Sequence, residues 1–142
     1  MRHPRIVVYE NPGSASRQLT ELAGDRIRQL GPLLGPLAAK RQWLFSEPRQ
    51  RPACLKLLSE NRPTLLALKL ERRLLDELSL LADAHRLAPD VPILAVHDAK
   101  PGSDQRDLIQ SLAYDLGATC VLFPPVPQSM LEEVAEGLMR VG

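Results

Sequence analysis

Residues 64–97 read TLLALKLERRLLDELSLLADAHRLAPDVPILAVH. Thr64–Lys69 is a Leu-rich run without polar alternation, the pattern of a parallel strand covered on both faces. Arg72–Leu87 follows with Leu74, Leu78, Leu81 and His85 on one helical stripe. Pro89-Asp90-Val91-Pro92 breaks that helix, and Ile93–His97 is a second short apolar run. Strand, helix and strand in this order form a βαβ unit, whose right-handed crossover makes the two strands parallel.

The same alternation extends outward in both directions. Towards the N-terminus, Arg5–Tyr9 is an apolar, β-branched strand that ends at Asn11-Pro12-Gly13. Ser14 or Ser16 can cap a helix with Leu19, Leu22, Ala23, Ile27 and Leu30 at helical spacing, stopped by Gly31-Pro32. Leu33–Lys40, interrupted by Gly35-Pro36, is expected to be an irregular or helical extension. Gln42–Ser46 reads as a strand, and Pro52–Asn61 as a helix with Cys54, Leu57 and Leu58 inward. Towards the C-terminus, Asp98–Asp104 is a polar loop. Gln105–Leu116 is a helix with Ile109, Leu112, Ala113 and Leu116 inward, ended by Gly117. Cys120–Phe123 is the fifth strand. Ser129–Arg140 is the last helix, with Ser129 and Glu132 as a capping box.

Five βα units fill the chain. They define an α/β protein in three layers, a doubly wound (βα)5 arrangement with a parallel sheet between helices. With 142 residues and neither linker nor repeat, the expectation is one domain over residues 1–142. A net charge of +1, spread along the chain, gives no electrostatic footprint for nucleic acid. No apolar stretch reaches the roughly 18 residues of a membrane helix, and no signal peptide is evident. The two cysteines, Cys54 and Cys120, have no metal-ligand spacing and make no disulfide framework. A cytoplasmic protein with no metal, no cofactor, no nucleic-acid partner and no membrane association is expected. Both cysteines are read as structural, Cys120 buried in its strand and Cys54 near solvent.

Several junctions resemble the receiver domains of bacterial response regulators, the CheY-like family. Ala88-Pro89-Asp90-Val91-Pro92-Ile93-Leu94-Ala95-Val96 resembles the family's helix-3-to-strand-4 junction. Ala113-Tyr114-Asp115-Leu116-Gly117-Ala118 resembles the end of its helix 4. Pro125 and Leu131 match the proline and leucine that open its helix 5. The resemblance covers nearly the whole chain and is weakest between Gly13 and Trp43. It implies a flavodoxin-like, five-stranded parallel sheet of order 2-1-3-4-5.

The resemblance also places the family's functional positions, and most are changed. Receivers hold Mg²⁺ with two acidic residues after strand 1; here these positions are Tyr9 and Glu10. The phospho-accepting Asp at the end of strand 3 is replaced by Lys69. The Ser or Thr ending strand 4 is His97, and the Lys before the strand-5 proline is Pro124. Aspartyl phosphorylation needs a carboxylate nucleophile, and Mg²⁺ needs several hard oxygen ligands. The expected function is therefore a non-catalytic pseudo-receiver, a phosphorylation-independent signal-transduction adaptor or regulator that ends without an output domain.

Glu10, Lys69, His97 and Asp98 should meet at the carboxyl edge of the sheet, where open α/β sheets place their sites. Lys69 there either forms an internal ion pair with Glu10 or Asp98, or belongs to a new site. That site would be a catalytic Lys69 or His97, or a metal held by Glu10, His97 and Asp98. A second alternative is an anion or nucleotide sensor near Lys69, His97 and the loop Lys100–Ser103, which lacks a Gly-rich phosphate loop. In receivers, the face of helix 4, strand 5 and helix 5 binds partners and forms dimers. Its counterpart here would use Tyr114, Phe123, Val126 and Met130 to hold a protein partner or a second copy.

Overall fold

A computed structural model describes residues 3–10, 30–71, 74–98 and 102–141. Its elements are β1 (Arg5–Tyr9), α1 (Leu30–Arg41), β2 (Leu44–Ser46), α2 (Arg51–Leu58), β3 (Thr64–Leu70), α3 (Leu74–Leu87), β4 (Ile93–His97), α4 (Ser103–Leu116), β5 (Cys120–Leu122) and α5 (Gln128–Val141). The five strands are parallel in the order β2-β1-β3-β4-β5. β3 is central, and all seven of its residues are buried.

Side-chain alternation divides the core into two faces. Val7, Leu66, Leu68, Leu70, Ile93 and Ala95 pack beneath α2, α3 and α4. Ile6, Val8, Leu65, Ala67, Leu94 and Val96 pack beneath α1 and α5. The register Tyr9↔Leu68 and Lys69↔Val96 aligns the ends of β1, β3 and β4 at one edge.

The helix expected from Ser14 or Ser16 lies, apart from Leu30, outside the described residues. Gly31-Pro32 falls in the first described turn of α1, which runs on through Gly35-Pro36. Leu30, Leu34, Leu37 and Ala38 form its buried face. Burying a leucine contributes roughly 1.5–3 kcal/mol. Three of them outweigh the cost of a proline inside a helix, about 3 kcal/mol. Gly31 lies against the Glu47 carboxylate, the mobile end of an exposed side chain. The C-terminus of α1 displaces the expected strand start at Gln42. Gln42 is left-handed at φ 60°. Its N–H and that of Trp43 donate to Ala39 and Ala38 in a Schellman pattern.

Four smaller expectations are corrected. On α3, Glu77, Leu80 and Ala84 join Leu78 and Leu81 in the interior, while His85 is exposed, its ring against Gly117. On α4, Ile109 and Ala113 are buried but Leu112 is exposed. α5 begins at Gln128, so Ser129 lies inside the first turn; Glu132 accepts from Gln128 Nε2, which also donates to the Leu33 carbonyl. Finally, Cys54 is fully buried and Cys120 only half-buried, the reverse of their expected exposures. Arg51–Leu58 turns Cys54 onto the sheet, whereas Cys120 begins its strand at the sheet edge. Burial pushes the Cys54 thiol up to about 12 and raises that of Cys120.

Candidate functional site

The site lies at the carboxyl ends of β1, β3 and β4. Glu10 follows β1 with the parity of Ile6 and Val8; Lys69 has the parity of Leu65 and Ala67. Both therefore project to the α1/α5 face, and the β1–β3 register sets them side by side. Lys69 is fully buried. Its Nζ lies 3.5 Å from Glu10 Oε1 and 3.4 Å from Glu71 Oε1. Glu10 is held from the other side as well: Oε1 accepts from Leu30 N–H at 2.8 Å and Oε2 from Gly31 N–H at 3.2 Å. One carboxylate thus ties α1 to the central strand.

Glu71, the second partner of Lys69, and Glu77 of α3 are both buried. Glu77, in the first turn of α3, accepts a hydrogen bond from the Glu71 backbone N–H. Burial, followed by the charges of Glu71, Asp98 and Asp76, pushes the Glu77 carboxyl up to about 8 against the pull of that hydrogen bond. Burial of this kind favours the protonated form of a carboxyl.

The remaining pocket residues sit apart from this pair. Tyr9 faces the other side of the sheet, against the α2–α4 core. Burial, then the nearby Cys54 thiol, raises its phenol. His97 Nδ1 lies 3.7 Å from Asp98 Oδ1. Its ring stacks on Phe123 with centroids 5.7 Å apart, and Arg106 of α4 covers Phe123 at 5.1 Å. Pro124 is buried and joined to Pro125 by a cis peptide bond. Glu10, His97 and Asp98 do not converge as a ligand set: among the described residues no group of three or more His, Cys, Asp or Glu side chains is placed to hold a metal. Of the two carboxylates offered to Lys69 by the sequence, Glu10 makes an ion pair, while Asp98 lies against His97.

Glu71, Glu77 and Arg106 are absent from the sequence reading. Glu71 follows Lys69 at the two-residue spacing that returns to the same strand face, and that spacing is the only signal in the chain that could have marked it. On the candidate partner face, Tyr114 and Met130 are exposed, while Phe123 and Val126 are half-buried against the two cores. The Tyr114 hydroxyl accepts from Val121 N–H at 3.3 Å. Leu108 and Leu112, one helical turn apart on α4, are also exposed.

Five parallel strands in the order 2-1-3-4-5, with five helices, are the CheY-like receiver fold. The sequence matches no family model and no curated protein. Solved structures match over nearly its full length. A CheY-like response regulator receiver domain protein from Methanospirillum hungatei JF-1 is 16% identical, with 99% of this chain and 97% of that chain covered at a TM-score of 0.65. A response regulator from Thermotoga maritima is 12% identical, with 99% of each chain covered at 0.65. An adenylate cyclase from Rhodopirellula baltica is 11% identical, with 99% and 90% covered at 0.67. At such identities the likeness is one of fold.

Proposed function

We propose that residues 1–142 form a single pseudo-receiver domain, a cytoplasmic signal-transduction adaptor that works without phosphorylation and without catalysis. The supporting observation is the buried ion pair of Lys69 with Glu10 and Glu71 at the tip of the central strand. Receivers keep a carboxylate nucleophile there. In this chain an amine occupies the position, held between two carboxylates. Glu10 is the one acid left at the end of β1, and it is engaged by Lys69 and by the α1 backbone. An output then has to come from contact with other proteins. The exposed side chains of α4 and α5 suit a protein partner or a second copy of the chain. Among the described residues no helix is long and apolar enough to cross a membrane.

The test is incubation of the full chain with a small phosphodonor and Mg²⁺, read by intact mass, beside an active receiver as control. No added phosphoryl group is expected. A stable gain of one phosphoryl, mapped to any residue of the pocket, would overturn the reading.

A further inference from the structure

The solvent side of α4 is apolar and acidic at once. Ile109 and Ala113 turn inward and are buried. At about 100° per residue, Asp104, Leu108, Leu112 and Asp115 share an arc of about 80° away from them. All four are exposed, Leu108 at 61% and Leu112 at 39%. Tyr114 lies more than about 100° around the helix from both leucines. Its hydroxyl accepts from Val121 N–H, so it faces the edge strand β5, and the leucine stripe points away from that strand. Among the described residues no ion pair involves Asp104, Asp107 or Asp115. The cation of α4, Arg106, lies outside the stripe, over the Phe123 ring. Residues 103–141 carry six acidic side chains and two basic ones, although the whole chain has a net charge of +1.

We infer that this stripe of α4 is a docking surface for a basic amphipathic helix of a partner protein. Two leucines one turn apart make the apolar seat. The aspartates at its ends, about 16 Å apart along the axis, fix the sign of what sits on it. A second copy docked through the same stripe about a two-fold axis would set aspartate against aspartate. An anionic membrane surface or a nucleic acid meets the same repulsion. A helix with apolar residues three or four apart and Lys or Arg beside them is complementary in both respects. A stripe this short makes a weak, salt-sensitive contact. The inference rests on the reading that the domain acts through protein contacts, and it names the chemistry of the partner.

The probe is a synthetic peptide of about 14 residues with leucines at helical spacing and lysines beside them. Its binding to the isotopically labelled full chain is read from NMR amide shifts and the dissociation constant they give. The shifts should centre on residues 104–115. Affinity should fall about tenfold or more between about 0.05 M and about 0.5 M salt. Leu108→Ser with Leu112→Ser, and separately Asp104→Asn with Asp115→Asn, should each weaken binding about tenfold or more. These exposed substitutions should leave the melting temperature nearly unchanged. A peptide with serines in place of the leucines should bind about tenfold more weakly or worse. The inference is overturned by no binding at about 1 mM peptide, by equal binding of the serine peptide or of one with glutamates for lysines, or by shifts centred elsewhere. Self-association of the chain alone that Leu108→Ser abolishes would also overturn it, since the occupant would then be a second copy. Missing peptide binding leaves the phosphodonor result untouched, and a phosphoryl gain leaves peptide binding untouched, so the two readings can fail separately.

Discussion

Lys69 is fully buried between the carboxylates of Glu10 and Glu71. A buried ion pair adds little net stability, since desolvation offsets most of the attraction, yet removing one partner strands the others. Lys69→Met should therefore destabilise the fold by about 3–5 kcal/mol, measured as the loss in urea unfolding free energy. Adding Glu10→Gln and Glu71→Gln should recover part of that loss, because the stranded charges go with the cation. Full stability in the single variant would mean that the pair holds nothing in place. Glu77 makes a separate prediction. Its folded value of about 8 lies above the ordinary 4.5, so the folded state holds a proton that the unfolded state has released. Its contribution is complete below about pH 4.5 and is lost as pH rises through about 8. The slope is bounded by one proton, about 1.4 kcal/mol per pH unit. Urea midpoints of the wild type should fall with pH across this window more steeply than those of Glu77→Gln. Parallel curves would remove Glu77 from the account.

At the scale of elements, prolines and glycines are the informative residues, and context decides their meaning. Gly117 behaves as its sequence position implies: it ends α4 at φ 121°, and its N–H returns to the carbonyls of Ala113 and Tyr114. The His85 ring also occupies the space where a Cβ would stand. Gly117→Ala should therefore cost about 1–3 kcal/mol, seen as a lower melting temperature. His85→Ala in that background should restore only a small part of the loss, since the His85 Cβ, 2.5 Å from the added methyl, stays in place along with the backbone strain. Complete restoration would show that the backbone carries no strain. Gly35-Pro36 carries similar punctuation, yet α1 continues through it, because its leucines have the sheet to bury against. Sequence reading treats each proline alone, whereas the helix responds to its whole buried face.

At the scale of the molecule, two faces remain to be separated by experiment. The carboxyl edge of the sheet carries the Lys69 ion pairs, and the α4/α5 side presents Leu108, Leu112, Tyr114 and Met130 to solvent. Tyr114 is a poor probe of binding because its hydroxyl also holds the start of β5. Leu112→Glu and Met130→Glu are better probes. As exposed substitutions they should change unfolding free energy by no more than about 0.5 kcal/mol. If this face forms a homodimer, either should weaken self-association about tenfold or more, measured by light scattering over a concentration series. Unchanged association would move the interface elsewhere.

The chain order of strands and helices, the burial of β3 and β4, the end of α4 at Gly117 and the place of Lys69 near the end of its strand follow from local pattern. Period, punctuation and apolar runs are properties of neighbouring residues, so they can be read along the chain. The partners of Lys69, the burial of Glu71 and Glu77, the stack of His97 on Phe123 and the continuity of α1 do not follow from such patterns. They depend on which strands lie adjacent and in what register, and on which helix covers each face. Glu71 and Glu77 read locally as solvated residues around a turn. Only the packing of β1, α3 and the end of β4 around them removes the water, and burial then pushes the Glu77 carboxyl up.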